Sequence, residues 1–359
     1  MTDLCLRHHK EASVGEHLAK AIHLQAQACA DLGAPFSAAI LRHAVADVEA
    51  GGIVAGLLTP WNGVAVADLV RDAVALRLLA ALHYLVLDGR APALAAQYPS
   101  KGHNPDRAWA AAQAALAASA DAVAAMLTHE PQTNEVRRSA CMLGGFLTIG
   151  QETGLPLRCF ELGASAGLNS LWDRFRYDIG GATWGDPLSP VVLPCRWDGH
   201  APSLAAALTV IERYACDRRP VDLRRPDDAV RLLSYCWAEQ HERMERLRAA
   251  IALAQASPVD VDACQAAQWV AGAVPRDGTA TVVFHSIVWQ YIPAAEQAAI
   301  LATMHAHAAT ATAHAPFHWL RMELSEAAGQ FELRLWDWQS RGDRRLAVVH
   351  PHGEWARWC

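Results

Sequence analysis

The stretch Arg158-Cys159-Phe160-Glu161-Leu162-Gly163-Ala164-Ser165-Ala166-Gly167-Leu168-Asn169 decides how this chain is read. A short apolar run ends in an acid, a turn of small residues follows, and a helix-like segment opens at Leu168. That order predicts a strand, a nucleotide-type loop and a helix. Small residues let a backbone approach a ligand closely, and the free N–H groups of a helix start can face a polar or anionic group.

The chain changes character around this stretch. From about Val14 to Gly150 it is Ala- and Leu-rich at helical spacing, with punctuation at Gly33-Ala34-Pro35, Gly51-Gly52, Trp61-Asn62-Gly63, Asp88-Gly89-Arg90, Tyr98-Pro99-Ser100 and Glu130-Pro131. An all-helical domain over 1–154 is expected. The run Ala108 to Leu127, interrupted by Gln113 and Asp121, reads as one packed helix. After Gly154-Leu155-Pro156, β-like runs alternate with helix-like ones, the signature of an α/β fold with a parallel sheet over 155–359. Strands are predicted at Leu157–Leu162, Leu208–Tyr214, Pro258–Val261, Thr281–Phe284, Trp319–Leu324, Phe331–Trp338 and Leu346–His350. Helices are predicted at Leu168–Phe175, Asp227–Ala254, Gln265–Val270 and Ala294–Ala309. The Gly- and Pro-punctuated segment 177–197 reads as an inserted hairpin.

Composition narrows the function classes. With 359 residues, 52 % of them hydrophobic, the chain can bury a large core. A formal charge of −6 and the absence of basic blocks argue against a nucleic-acid groove and favour a small-molecule substrate. Nine cysteines stand singly, with no C-x-x-C pair, as expected of reduced thiols in a cytoplasmic protein. Met1 to Lys10 lacks the apolar core of a signal peptide, and no segment is long and apolar enough to suggest a membrane span.

Two chemistries compete for the loop. As Gly163-x-Ser165-x-Gly167 it matches the nucleophile elbow of an α/β-hydrolase, and Ser165, Asp337 and His350 or His352 follow the chain order of that triad. As Glu161-x-Gly163-x-x-x-Gly167 it resembles the first motif of class I S-adenosylmethionine (SAM) dependent methyltransferases. An all-helical first half and the lack of an H-G-G-G segment count against the hydrolase. Taken with Gln132-Thr133-Asn134-Glu135, Asp217 and Pro220, Leu232 to Trp237, Phe284 to Tyr291 and His350-Pro351-His352-Gly353, the chain resembles an uncharacterised bacterial family known only as a domain of unknown function. The part of that family from about Leu157 onward is similar to the Rossmann-like sheet of class I methyltransferases.

The methyltransferase resemblance implies roles for particular residues. Glu161, Gly163, Ala164, Ser165, Gly167 and Asn169 would form the SAM loop, and Asp217, ending the second strand, would hold the ribose hydroxyls. Asp262 and Ala263 would meet the adenine edge. The turn after the fourth strand would face the reacting methyl, with Ser286 against the cofactor, His285 and Tyr291 as catalytic candidates, and Trp289 and Gln290 lining the substrate. Asn134, Glu135 and Arg138 either cap and solvate a helix start or bind substrate, the latter if the helical domain covers the sheet's carboxyl edge. His350 and His352 share a strand face but lack a third ligand at fitting spacing, so no metal is expected. Beside the methyltransferase stand the Ser165 esterase and a relative that binds SAM without turnover.

Overall fold

A computed structural model describes residues 15–99, 104–339 and 342–359. Met1 to Lys10 and Ser100, both used in reading the sequence, lie outside them. The chain forms two compact units. One takes the residues up to Thr133 together with Val230–Met244, and the other takes Asn134–Ala229 and Glu245–Cys359.

The first unit is helical. It contains α1 (Glu16–Asp31), α2 (Pro35–Glu49), α3 (Ile53–Leu57), α4 (Val66–Arg71), α5 (Val74–Leu87), α6 (Pro92–Ala95), α7 (Pro105–Ala118) and α8 (Ala120–Leu127). Pro35, Pro92 and Pro105 each open a helix, where the missing N–H costs nothing and the fixed φ suits the first turn. Asn104 caps α7, its side chain accepting the Arg107 N–H at 3.0 Å. The single helix expected over Ala108 to Leu127 is two, bent by 93° between Ala118 and Ala120. Among the described residues no single helix is long and apolar enough to cross a membrane. Leu18, Ile22, Leu41, Leu78 and Leu85 fill the core, and Tyr235 joins them. Glu239 accepts both the Ser37 N–H and the Ser37 hydroxyl at 2.7 Å, satisfying donors in the first turn of α2.

The second unit is mixed α/β. Helix α9 (Ser139–Thr153) precedes β1 (Leu157–Leu162), and β2 (Arg176–Ile179), β3 (Ala182–Gly185), β4 (Val192–Gly199) and β5 (Val210–Asp217) follow. After α10 (Pro226–Ser234) and α11 (His241–Ala256), of which residues 230–234 and 241–244 belong to the first unit, come β6 (Val261–Ala263), α12 (Ala266–Trp269), β7 (Ala280–Ser286), α13 (Ala294–Thr310), β8 (Phe317–Ser325), β9 (Gln330–Asp337), β10 (Asp343–Val349) and β11 (Trp355–Trp358). Eleven strands among the described residues make one sheet in the order β3-β2-β4-β11-β10-β9-β8-β7-β1-β5-β6. Its pairings are mostly parallel, and the run β6-β5-β1-β7-β8 is wholly so. Every residue of β1 is buried, as befits a central parallel strand covered on both faces.

Helix α9 packs on one face so closely that a Cβ on Gly144 would overlap the Trp358 ring and one on Gly145 would overlap Leu320. That contact places Asn134 to Gly154 with the sheet, whereas the period change at Gly154 suggested a boundary there. On the other face Ile300 and Met304 of α13 cover Phe160, Val283 and Phe317. The insertion forms more than a hairpin. Strands β2 and β3 turn through Gly180-Gly181, both at positive φ, and β4 then pairs with β2 and β11, so the insertion extends the sheet at its far edge.

Several predicted elements shift. The expected helix Asp227–Ala254 is broken between Ser234 and His241, where Tyr235 packs into the helical core. The strand expected at Pro258–Val261 pairs instead at Val261–Ala263. Leu168–Phe175, expected as an α-helix, is a 3₁₀ run over Leu168–Arg174 with a non-helical Leu171 inside it.

Candidate functional site

Strands β5 and β6 lie on one side of β1, and β7 and β8 on the other. The strand order therefore reverses at β1, and ligands of open α/β sheets bind outside the carboxyl ends of the strands at such a point. Two loops emerge there, 163–167 after β1 and 287–291 after β7.

The first loop turns through left-handed conformations at Gly163, Ser165 and Gly167, with φ of +65°, +55° and +71°. Its N–H groups are held by the protein. Ala164 donates to the Cys216 carbonyl at 2.9 Å, and Gly167 to the Ala164 carbonyl at 2.8 Å. Ser165 donates to Asp217 Oδ2 at 2.8 Å, while Ala166 and Leu168 donate to Asn134 Oδ1 at 3.3 and 3.4 Å. The loop is thus preorganised by two side chains from elsewhere in the unit, and it is no open cradle for an anion.

The 3₁₀ run after the loop is equally fixed. The Ser170 hydroxyl donates to Glu161 at 2.5 Å, and the Ser170 carbonyl accepts from Arg213 Nε at 3.1 Å. Arg213 also grips both carboxylate oxygens of Asp173, at 2.7 and 2.6 Å, and the Tyr177 hydroxyl donates to the Trp172 carbonyl at 2.6 Å. Two of these bonds take carbonyls an α-helix would use, those of Ser170 and Trp172. Burial pushes the Glu161 carboxyl up to about 8, against the opposing pull of the Ser170 hydrogen bonds.

Two polar atoms beside this loop have no hydrogen-bond partner among the described residues. They are Ser165 Oγ, in a residue 7 % exposed, and Asn169 Oδ1, in a residue 4 % exposed. Asn169 orients itself by donating from Nδ2 to the Glu135 carbonyl at 3.4 Å. A buried polar atom left unpaired costs roughly 1–3 kcal/mol.

The second loop is organised differently. His285 is fully buried, its Nδ1 is 2.7 Å from Glu323 Oε1, and its Nε2 accepts from Trp319 Nε1 at 3.0 Å. This assigns the Nδ1–H tautomer and pairs both ring nitrogens within the protein. Trp289 stacks on the imidazole, with centroids 5.3 Å apart and planes 12° apart. Gln290 is exposed, and Tyr291, the other catalytic candidate, is 63 % exposed in a 3₁₀ turn.

Asn134, Glu135 and Arg138 lie at this edge and bond the protein itself. Glu135 is buried and accepts the Arg137 N–H at 3.1 Å. Arg138 donates to the carbonyls of Pro351 at 3.0 Å and Ser286 at 3.3 Å, joining the 350–353 turn to the end of β7. Asp262 and Ala263 are exposed at the end of β6, in register with Cys216 and Asp217 respectively, and Asp262 accepts the Trp269 indole N–H at 2.7 Å. Asn134, Ser165 and Ile287 are three of the four non-glycine residues at positive φ among those described, and strain of that kind collects at functional sites.

The hydrolase triad is not assembled. Ser165 Oγ meets no histidine, and His350 Nδ1 instead accepts the His352 N–H at 3.2 Å. No group of three or more metal-ligating side chains occurs among the described residues. Glu323 escaped notice in the sequence, although Trp319-x-Arg321-x-Glu323 alternates as one face of a strand should.

A family model described as an uncharacterized protein conserved in bacteria (DUF2332) matches residues 19–358. No curated protein and no solved structure matches the chain.

Proposed function

The chain belongs to the DUF2332 family of uncharacterised bacterial proteins, and from that premise we propose that it is a SAM-dependent methyltransferase acting on a small-molecule acceptor. One observation carries the reading. An acid-glycine loop occupies the switch point of a β6-β5-β1-β7-β8 parallel order, and the acid ending the next strand, Asp217, holds that loop.

The residues present fit such a cofactor. Asp217 accepts one N–H on each oxygen, from Ser165 at 2.8 Å and Arg219 at 2.7 Å, and each oxygen keeps a lone pair for a vicinal ribose hydroxyl. The unpaired Ser165 Oγ and Asn169 Oδ1 would meet the polar methionine end beside the turn of Gly163, Ala164 and Gly167. Asp262 and Ala263 would border the adenine, and Ser286 would line the cofactor side of the β7 turn. When bound, the cofactor supplies an electrophilic methyl group. The protein's part is to align the acceptor and exclude water, in which Trp289 and the β7 turn serve.

A second reading, a protein that binds SAM without turnover, is favoured by the closure of both His285 nitrogens. Calorimetric titration with SAM and with S-adenosylhomocysteine tests both. Micromolar binding is expected, weakened at least tenfold in Asp217→Ala. Failure of the wild-type protein to bind either ligand would overturn both readings, and where it binds an acceptor screen separates enzyme from binder.

A further inference from the structure

We propose that Glu323 is the positioning residue of the site, the group that sets Trp289 and the β7 turn against the glycine loop. The proposal stands on geometry within the sheet unit, and its ligand arm alone rests on the methyltransferase reading.

Three donors converge on one oxygen. Glu323 Oε1 lies 2.7 Å from His285 Nδ1, 2.9 Å from the Val288 N–H and 3.2 Å from the Trp289 N–H. Two successive backbone N–H groups next to a left-handed residue make an anion nest, and Ile287, at φ +52°, supplies that residue. A β-branched side chain is a poor occupant of this region, so the turn needs an outside partner to hold it. Glu323 is that partner, reaching from the end of β8.

The same carboxylate fixes the ring on which Trp289 rests. By accepting from Nδ1 it forces His285 to present Nε2 as an acceptor, and the Trp319 indole fills that position at 3.0 Å. The imidazole is clamped at both ends, and Trp289 stacks on it while lying 5.3 Å, centroid to centroid, from Trp319. Backbone and ring of Trp289 are therefore set by one group. The consequence reaches the other loop, because a Cβ on Gly163 would overlap Val288 Cγ2, so Val288 sits directly on the glycine turn. Glu323 itself is 14 % exposed on its side chain.

Glu323→Ala and Glu323→Gln test this in the full-length protein. In the ligand-free state, amide hydrogen exchange over 284–292 and nitrogen-15 spectra of labelled histidine report the turn and the His285 tautomer. Glu323→Ala is expected to speed exchange of Val288 and Trp289 at least tenfold and to abolish the fixed Nδ1–H signature. Glu323→Gln keeps an acceptor and is expected to restore protection to within about threefold of wild type. SAM affinity should follow the same order, with a tenfold loss in the alanine variant and rescue by glutamine. Unchanged exchange and tautomer in Glu323→Ala would overturn the proposal. If that variant does not fold, Glu323→Gln decides alone, since a fixed tautomer with protected amides supports the nest and a mobile turn refutes it. Wild-type protein that ignores SAM while both spectroscopic results hold would sink the methyltransferase reading and leave Glu323 in its role.

Discussion

The loops after β1 and β7 leave adjacent strands at the same edge of one sheet, yet they satisfy their polar groups in opposite ways. The glycine loop has its N–H groups bonded to Asp217, Asn134 and the carbonyls of Cys216 and Ala164, while Ser165 Oγ and Asn169 Oδ1 stay buried and unpaired. In the β7 turn the imidazole of His285 and the N–H groups of Val288 and Trp289 all find partners through Glu323 and Trp319. A ligand gains most where buried groups lack partners, so on the proposed function the first loop carries binding and the second sets shape.

The sharpest way to break this pairing is Gly163→Ala. The added methyl would overlap Val288 at a left-handed backbone position, and a loss of about 3 kcal/mol is expected from overpacking and strain together. Urea denaturation measures it. A loss below ~1 kcal/mol would mean that the two loops move independently.

A smaller effect separates buried charge from buried structure. Burial holds the Glu161 carboxyl at about 8, against about 4.3 for an unfolded glutamate. Between those values the unfolded chain is ionised and the folded chain is not, so this contribution is complete below about pH 4.3 and falls away as pH rises toward 8. Burial pushes His318 down to about 4, so its contribution is present above about pH 6.5 and lost as pH falls through about 4. The two slopes oppose each other from about pH 4.3 to 6.5, and above that Glu161 acts alone. Glu161→Gln is therefore expected to flatten the decline between pH 6.5 and 8, worth at most ~2 kcal/mol at ~1.4 kcal/mol per pH unit. Urea midpoints across that range, wild type against variant, provide the check, and parallel curves would show that Glu161 is ionised in the fold.

The smallest effect is expected at the opposite, amino-terminal edge of the sheet. There Glu212 is held down to about 2 by hydrogen bonds from Arg158 and Arg276. Arg276 is nearly half exposed, and Arg276→Ala should cost only about 0.5 kcal/mol and leave ligand binding unchanged. Weaker binding in that variant would mean that the carboxyl edge is not where the ligand sits.

Sequence reading went furthest where short-range pattern was enough. The apolar run Leu157–Leu162, the acid Glu161 and the turn Gly163 to Gly167 announced a strand and a loop, and the period change announced the sheet. It went wrong where a distant partner overrides local preference. Leu168–Arg174 has helical letters, but Ser170 and Asp173 are claimed by Glu161 and Arg213, the latter some forty residues away. His285 reads as a candidate base from its place at the end of a strand, and the partners of both its nitrogens lie on β8, 34 and 38 positions on. Asn134 read as a helix cap or a substrate contact, and its side chain binds the loop backbone 32 residues later.

By itself the sequence determined the helical and α/β character of the two halves, the strand that ends in Glu161 and the glycine turn after it, because each depends on propensity and periodicity within a few residues. The tertiary structure alone decided that β1 lies at the reversal of strand order, that Asp217 and Asn134 hold the loop, and that Glu323 and Trp319 pair both ring nitrogens of His285. Hydrogen bonds between residues far apart in the chain are set by strand order and register, and these follow from burying both faces of the whole sheet rather than from any local run of letters.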